Sequence, residues 1–330
     1  MTCRLRLPGS ITPRYTHRLN RDSPQEIDTP AMDDDWRPLY PFESHEMTLD
    51  GRRCHYLDEG SGPVLLLVHG NPTWSFYWRE LIRAFRGQYR LVVPDHIGCG
   101  LSEKPPAGDY QYRLARRVDD LRLLIEKLDL QQITLVAHDW GGAIGMGAAV
   151  AEAPRFARFV LLNTAAFRSR RCPLRIRVCR TPLLGPLAVK GLNLFARAAL
   201  RMAVCKRQRM TPAVRAGLLA PYDSWSHRTA IQQFVLDIPL RLRHPSYQTL
   251  AEIEAGLAQF RRHPVCLIWG MRDWCFTPRL LDRFVDFFPQ AEVHRLADAG
   301  HYVVEDGYER IVPLLEEFLR SHPLVGPRGA

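Results

Sequence analysis

Long apolar runs, paired cysteines and repeats are missing from this sequence, and each absence narrows the class of protein. Every apolar stretch is shorter than the roughly 20 residues needed to span a bilayer, so we expect no transmembrane helix. The eight cysteines are scattered without a Cys-x-x-Cys pair, which argues against a disulfide framework or a zinc site and favours a cytoplasmic location. There are no internal repeats. We therefore expect a globular cytoplasmic protein with no metal and no cofactor.

Acidic residues are missing from one long segment, residues 168–209, which contains twelve Lys or Arg and no Asp or Glu. This basic segment accounts for more than the whole net charge of +10. It lacks the aromatic interleaving and the motifs of nucleic-acid-binding proteins, so we expect no nucleic acid partner. The charge favours either a peripheral membrane contact or an acidic protein partner, and a solvated basic face explains it equally well.

Residues 1–32 are rich in arginine but have no continuous apolar core, which argues against a secretory signal. We expect a disordered basic leader here. Because Met32 stands just before the acidic start of the globular pattern, translation from Met32 is an alternative start of the chain.

Apolar runs and turn residues predict eight strands. The first two flank Asp50-Gly51, which is a strong hairpin signal, and the others alternate with helices. This order predicts an α/β fold with a mostly parallel eight-stranded sheet and helices on both faces. The predicted strands are 46–49, 53–57, 64–68, 91–93, 133–137, 159–162, 265–270 and 292–296, and the predicted helices are 76–85, 112–128, 278–288 and 309–319.

The alternation of strands and helices stops between residues 167 and 250, where prolines separate helices and loops. This segment predicts a helical cap inserted over the carboxyl edge of the sheet, where ligands bind in open α/β folds. The core of the domain, 33–330, would then be 33–166 and 251–330. Within the cap, Leu183–Val204 is predicted as one amphipathic helix. Its polar stripe comprises Lys190, Asn193, Arg197 and Arg201.

The stretch from Ile133 to Gly142 is an apolar strand followed at once by a helix rich in small residues. A chain that turns from strand to helix within three residues holds the residue at the bend in strained geometry and exposes its side chain, as in the nucleophile elbow Gly-x-Ser-x-Gly. Small residues are needed two positions on either side, and Ala137 and Gly141 meet that need. This spacing places Asp139 at the bend as the predicted nucleophile.

An aspartate nucleophile selects the chemistry. A carboxylate is already ionised at neutral pH, so it needs no base to activate it. When it attacks a saturated carbon it forms an ester, which a neighbouring histidine is able to hydrolyse, whereas a serine would form a stable ether. Asp139 therefore favours displacement at carbon in alkyl halides, epoxides or strained lactones over ordinary ester cleavage.

A base and an orienting acid follow Asp139 in the chain order nucleophile, acid, histidine. His301 lies in the loop after the last strand, and Asp273 follows the strand that ends at Gly270. Asp298 is an alternative acid, but its closeness to His301 favours a role in capping its own loop. Another acid position, after the strand ending at Leu162, holds Asn163, which favours Asp273.

Two neutral donors flank the predicted nucleophile. Trp140 and Asn71 offer backbone N–H groups for an oxyanion, and their side chains add an indole N–H and an amide NH₂. Donors of this kind suit a departing halide or alkoxide. Taken alone, each is as well explained by packing of the cap or by the turn before Pro72.

Four motifs together resemble the haloalkane dehalogenase family of the α/β-hydrolase superfamily: His69-Gly-Asn-Pro-Thr-Trp-Ser75, His138-Asp-Trp-Gly-Gly142, Gly270-Met-Arg-Asp273 and Gly300-His-Tyr302. The resemblance covers residues 33–320 and is greatest to the third dehalogenase subfamily. The chain is similar also to the β-lactone decarboxylases of bacterial olefin biosynthesis, with which it shares an arginine-rich opening of the cap. The resemblance implies Asp139 as nucleophile, His301 as base, Asp273 as acid, and Trp140 with Asn71 as the halide or oxyanion site.

Three further functions stay open at this point. An epoxide hydrolase would need two cap tyrosines, for which Tyr222 and Tyr247 are available, but Asn71 replaces the usual aromatic residue. A fluoroacetate dehalogenase would place Arg where this chain has Trp140. A non-catalytic binding or membrane-docking module would form no covalent adduct on Asp139.

Overall fold

The computed structural model describes residues 35–169 and 171–324. The predicted leader, 1–32, lies outside these residues. Eight strands form one sheet in the order β1-β2-β4-β3-β5-β6-β7-β8, in which β1 pairs antiparallel with β2 and β2 with β4, and the other neighbours are parallel. The strands are β1 Ser44–Leu49, β2 Arg52–Glu59, β3 Val64–Val68, β4 Arg90–Pro94, β5 Ile133–Asp139, β6 Phe156–Thr164, β7 Val265–Gly270 and β8 Glu292–Leu296.

This sheet confirms the predicted fold class, including the hairpin at Asp50-Gly51. Helices cover both of its faces, and others occupy the connection between β6 and β7. The helices are α1 Arg79–Phe85, α2 Leu114–Lys127, α3 Trp140–Ala151, α4 Leu174–Val178, α5 Leu184–Pro186, α6 Leu194–Met202, α7 Pro212–Leu219, α8 Thr229–Leu236, α9 Pro245–Gly256, α10 Pro278–Phe287 and α11 Val303–Ser321, with a π-helical turn at Leu187–Gly191.

The central strands are apolar at every position because both faces of the sheet are covered. In β3, Leu66 and Val68 pack into a core beneath α2, α3 and α10, while Leu65 and Leu67 pack into a second core beneath α1 and α11. Successive side chains of a strand point to opposite faces, so a strand buried on both sides must be apolar throughout. This double burial fixes the carboxyl edge of the sheet, where the connecting loops converge.

The cap segment contains no continuous helix over Leu183–Val204, and that prediction is wrong. Leu183 and Asn193 both have positive φ, 65° and 52°; Leu183 comes just before α5, and Asn193 separates the π-helical turn from α6. Asn193 is buried rather than part of an exposed stripe, and its amide donates to the Tyr222 carbonyl at 3.2 Å. Periodicity alone does not reveal such breaks, because a left-handed residue leaves the apolar pattern unchanged.

Helix α11 begins at Val303, six residues before the predicted start. Gly307 interrupts its regular geometry with φ −155°, which is why the sequence pattern is clear only from Glu309 onward. The first turn contacts two other segments, since the buried Asp306 accepts the N–H groups of Gly300 (2.7 Å) and Cys205 (2.9 Å). Asp306 thereby joins the loop that carries His301 to the cap.

Candidate active site

Asp139 lies at the sharp bend between β5 and α3. Its backbone has φ 53° and ψ −127°, a strained conformation for a residue with a side chain. The Thr164 hydroxyl donates to the Asp139 carbonyl, and Gly141 packs so closely on the Val68 carbonyl that no Cβ would fit. These contacts hold the backbone at the bend.

The Asp139 carboxylate is almost fully buried and is held by two groups. Its Oδ1 accepts the Asn71 N–H at 2.7 Å, and its Oδ2 lies 3.5 Å from His301 Nε2. Burial, the largest single influence, raises the pKa of Asp139, but the hydrogen bond and positive charge of His301, with a smaller contribution from the Asn71 N–H, outweigh it. The net pKa is below its ordinary value, so Asp139 is ionised at neutral pH.

His301 lies between two carboxylates, in the loop after β8. Its Nδ1 donates to Asp273 Oδ2 at 2.8 Å, and its Nε2 faces Asp139. Burial lowers the pKa of His301, but the charge of Asp273 and hydrogen bonds to Asp139 and Asp273 raise it to about 10. The imidazole is therefore a cation at neutral pH.

Asp273 follows β7 and is fixed by several donors. Its Oδ1 accepts the N–H groups of Cys275 (2.6 Å) and Phe276 (3.0 Å), and its Oδ2 accepts the Asn163 amide at 3.0 Å in addition to His301. Asp298, the alternative acid, is half-exposed and pairs with Lys206 and Arg310 instead. The structure thus brings Asp273, and not Asp298, to His301.

Two residues at the site were not predicted. Asn163, which sequence reasoning considered only as a missing acid, anchors Asp273 and also accepts the Gly270 N–H at 2.7 Å. His138 donates from Nε2 to the His301 carbonyl at 2.8 Å, and burial lowers its pKa to about 3, so it is neutral. The positions of Asn163 at the end of β6 and His138 beside Asp139 were the available signals, but neither spacing identifies a partner.

Trp140 and Asn71 lie beside Asp139 as predicted donors, but they differ. The Trp140 indole N–H makes no hydrogen bond within the described ranges, and Trp140 lines the cavity described below. The Asn71 amide donates to the Ile231 carbonyl at 3.2 Å, and its Oδ1 is buried with no partner among the described residues. Trp140 is therefore the freer donor of the two.

A cavity of about 1160 Å³ joins this cluster to the cap. Asp139, Trp140 and Asn71 line it, whereas His301 and Asp273 do not; instead Phe276, whose ring stacks on His301 with centroids 5.4 Å apart, forms that part of the wall. The remaining lining is mixed. Its apolar residues include Phe167, Ile176, Phe195, Val235, Ile238, Leu240, Leu250, Trp274 and Leu280, and its basic residues are Arg168, Arg171, Arg177, Arg241, Arg279 and Arg283.

The described ranges hold neither a cluster of metal ligands nor a helix able to cross a membrane. No group of three or more His, Cys, Asp or Glu side chains in residues 35–169 and 171–324 is arranged to hold a metal ion. In the same ranges, each helix is too short or too polar to cross a bilayer.

Comparisons with known proteins agree with this architecture. A profile of the α/β hydrolase fold matches residues 63–177 and 220–308. The chain is 41% identical to the cis-3-alkyl-4-alkyloxetan-2-one decarboxylase of Shewanella oneidensis, over 85% of this chain and 89% of that protein. It is 40% identical to the protein of the same name in Xanthomonas campestris pv. campestris, over 87% and 99% of the two chains.

Haloalkane dehalogenases are also similar. Haloalkane dehalogenase 2 of Mycobacterium tuberculosis is 34% identical over 84% of this chain and 96% of its own. Among solved structures, the haloalkane dehalogenase DatA of Agrobacterium tumefaciens superposes with a TM-score of 0.76 at 24% identity, over 85% of this chain and 97% of that one, which supports the fold. The chain is therefore an enzyme of the α/β-hydrolase family, homologous to haloalkane dehalogenases and to cis-3-alkyl-4-alkyloxetan-2-one decarboxylases.

Proposed function

We propose that this enzyme uses Asp139 to open a cis-3,4-dialkyl-oxetan-2-one, a strained β-lactone, and releases carbon dioxide and a cis-alkene. The observation that carries the proposal is an ionised carboxylate facing a large, mostly apolar cavity. The names of the two relatives at 41% and 40% identity support the same substrate class. Sequence reasoning placed haloalkane chemistry first, and the cavity together with these relatives favours the lactone.

The first step is attack by an Asp139 oxygen on ring carbon C4. A C–O ester bond forms to Asp139 while the bond from C4 to the ring oxygen breaks, and the ring oxygen leaves as a carboxylate. Release of ring strain favours this step. The Trp140 indole N–H has no protein acceptor in the described part of the chain, so it is available to the new carboxylate.

The second step is decarboxylation with loss of the aspartate. The bond between C3 and the carboxylate breaks, its electron pair forms the C3–C4 double bond, and the Asp139 carboxylate departs from C4. Attack inverts C4 and an anti elimination follows, so a cis-lactone gives a cis-alkene. The cycle consumes no water.

His301 suits this cycle because it is a cation at neutral pH. With a pKa of about 10 it favours the ionised form of Asp139 before attack and again as the carboxylate departs. Asp273 holds the imidazole by its Nδ1–H and contributes much of the charge that keeps it protonated. His301 and Asp273 thus stabilise the Asp139 carboxylate before it attacks and when it departs.

The cavity is large enough for a substrate with two alkyl chains. Its volume of about 1160 Å³ exceeds the range of roughly 300–1,000 Å³ typical of sites for drug-sized ligands. A haloalkane of four carbons would leave most of it empty. Apolar side chains from both the sheet edge and the cap line it, as an aliphatic substrate requires.

Haloalkane hydrolysis is the second candidate, and the free indole N–H of Trp140 favours it. Asp139 would displace the halide, with Trp140 and Asn71 stabilising the departing ion. Ester formation removes the Asp139 charge, which lowers the pKa of His301 and leaves it able to take a proton from water. That water would attack the ester carbonyl while the Asn71 N–H holds the oxyanion.

The positions of the two candidate tyrosines do not favour the epoxide hydrolase alternative. Tyr222 is buried and its hydroxyl donates to the Thr73 carbonyl at 3.2 Å. Tyr247 lies beside Arg168 and lines an adjoining pocket that shares Arg168 and Arg283 with the Asp139 cavity. Neither tyrosine lines the cavity that contains Asp139, so neither is placed to protonate an epoxide oxygen there.

The test is a pair of parallel incubations, one with 1-bromobutane and one with a long-chain cis-3,4-dialkyl β-lactone, measuring bromide and alkene. Alkene without bromide supports the decarboxylase, bromide without alkene supports the dehalogenase, and neither product contradicts both. Asp139→Ala is expected to abolish turnover, and Asp298→Asn, an acidic residue outside the cluster, is the control. Turnover by Asp139→Ala near the rate of the parent would overturn the proposal.

A further inference from the structure

Exposed large apolar side chains in the described ranges are concentrated in one part of the cap. Ten such residues are exposed, and eight of them lie between residues 174 and 202. Leu183 is 86% exposed and Leu174 is 74% exposed. A concentration of exposed apolar side chains, unlike a single one, marks an interaction surface. The eight residues are Leu174, Val178, Leu183, Leu184, Leu187, Leu192, Leu194 and Met202.

The backbone of this region favours their exposure. Leu183 has φ 65°, which is strained for a residue with a branched side chain, and it separates α4 from α5. Asn193, with φ 52°, ends the π-helical turn before α6. Short helical turns replace the single helix that would have buried a regular apolar stripe, and the leucines on these turns lie in solvent.

The same residues are surrounded by positive charge. The basic segment, 168–209, has no acidic residue, and Arg171, Arg177, Arg197 and Arg201 are exposed without a carboxylate in ion-pair distance in the described part of the chain. Elsewhere arginines of intermediate exposure do form such pairs, as Arg116 does with Asp50 and Arg155 with Asp129. The region therefore combines exposed aliphatic groups with uncompensated cations.

We propose that residues 171–202, the cap surface, bind the face of an anionic phospholipid bilayer. The leucines enter the boundary of headgroups and acyl chains, and the arginines contact the phosphates, which is the usual arrangement of an interfacial membrane contact. The binding is peripheral, because the longest helix of the cap surface, α6, has only nine residues.

Lipid fits this surface better than an acidic protein does. Protein interfaces are enriched in aromatic residues, Met and Arg, and leucine is under-represented among the residues that contribute most to their affinity. Here the exposed apolar groups are almost all leucine, spread over short turns. Such a surface offers many methyl groups to a fluid phase and few rigid anchors to a protein pocket.

The cap surface adjoins the active-site cavity. Arg171, Ile176, Arg177 and Phe195 belong to the cap surface and line the cavity that reaches Asp139. Docking would therefore place the cavity against the bilayer, and a dialkyl lactone would pass to Asp139 without crossing water. This last step rests on the proposed function, whereas the docking itself does not.

The test is co-flotation of the full-length protein with vesicles, in the absence of substrate. We expect the protein to float with phosphatidylcholine vesicles containing 30% phosphatidylglycerol and to stay behind with pure phosphatidylcholine. Raising the salt concentration is expected to weaken binding, because it screens the arginines. Arg197→Gln with Arg201→Gln should weaken the partition coefficient about 30-fold, at the usual contribution of a basic residue near an anionic surface.

A second variant tests the apolar contribution. Leu183→Ser, Leu184→Ser and Leu187→Ser together should weaken binding by about tenfold or more. The matched control is Arg261→Gln with Arg262→Gln, two exposed arginines just before β7, at the opposite edge of the sheet, and it should bind like the parent. Unchanged circular dichroism and turnover of a short, water-soluble lactone show that the variants are folded.

Three results would overturn the docking proposal. They are absence of co-flotation at low salt, equal binding to neutral and anionic vesicles, and a cap variant that binds like the parent. The first would leave an acidic protein as the partner for the surface. If the lactone assay fails, the docking proposal is unaffected, because vesicle binding is measured without substrate.

Discussion

Asp273→Asn is expected to lower the pKa of His301 and to change which imidazole nitrogen carries its proton. In the structure, Asp273 Oδ1 accepts two backbone N–H groups, while Oδ2 accepts from His301 Nδ1 and from the Asn163 amide. An asparagine offers one oxygen, which the two backbone groups would retain. Its NH₂ group would then face His301 Nδ1 and Asn163, so neutral His301 would carry its proton on Nε2, towards Asp139.

The size of the effect follows from the pKa of His301. Its folded value of about 10 lies above the ordinary 6.5, so this group stabilises the folded state below pH 6.5, and that stabilisation is lost as the pH rises through about 10. At about 1.36 kcal/mol for each pH unit, His301 contributes at most about 5 kcal/mol. The Asp273 charge is the largest of the influences that raise the pKa, so the variant should lose much of this contribution.

The assay has two parts, histidine titration by NMR and unfolding by denaturant between pH 6 and pH 10.5. We expect the parent to lose stability across this window and Asp273→Asn to start less stable and to lose less. Asp298→Asn makes the same chemical change at a half-exposed carboxylate and should titrate like the parent. If His301 titrates at the same pH in Asp273→Asn as in the parent, the Asp273 charge is not what raises the pKa of His301.

Three further predictions concern turnover. Trp140→Phe keeps the ring but removes the indole N–H, so turnover should fall about 10²-fold with the melting temperature nearly unchanged, and a fall of less than threefold would exclude Trp140 as an anion donor. His138→Phe removes the donor to the His301 carbonyl and should lower kcat about tenfold with little effect on KM. His138→Gln should restore part of the lost kcat. Equal rates for the two variants would show that the hydrogen bond is not needed. Gly70→Ala places a methyl group against the Asp139 carboxylate and should lower turnover more than 10²-fold, as measured by alkene or bromide release, and parent-like activity would show that the carboxylate has room to shift.

The sequence predicted the sheet well because its signals are local. Strands such as Val64–Val68 are buried on both faces, so the whole run is apolar and its limits are clear. The position of Asp139 at the bend was predicted from the same kind of constraint, since only small residues fit where β5 meets α3. Asp273 was favoured over Asp298 by its place after a strand, and the structure brings it to His301.

Features that depend on contacts between distant segments were not predicted. Asn163 and Asp273 are 110 residues apart, and no spacing rule joins them. The break of the cap helix at Asn193 arises because its amide reaches the Tyr222 carbonyl, while the apolar periodicity continues through it. The first turn of α11 was also not predicted, because Gly307 interrupts the helical geometry after it. That turn contains the buried Asp306.

Mass spectrometry of the peptide that contains Asp139 tests directly whether Asp139 forms a covalent ester with the substrate. The parent and His301→Gln are mixed with the lactone or with 1-bromobutane, stopped with acid during turnover, and digested. We expect a substrate-derived ester on Asp139 and none in Asp139→Ala. For a substrate that is hydrolysed, the ester should be more abundant in His301→Gln than in the parent. Sustained turnover with Asp139 unmodified, or an adduct on another residue, would contradict the expectation of an ester on Asp139.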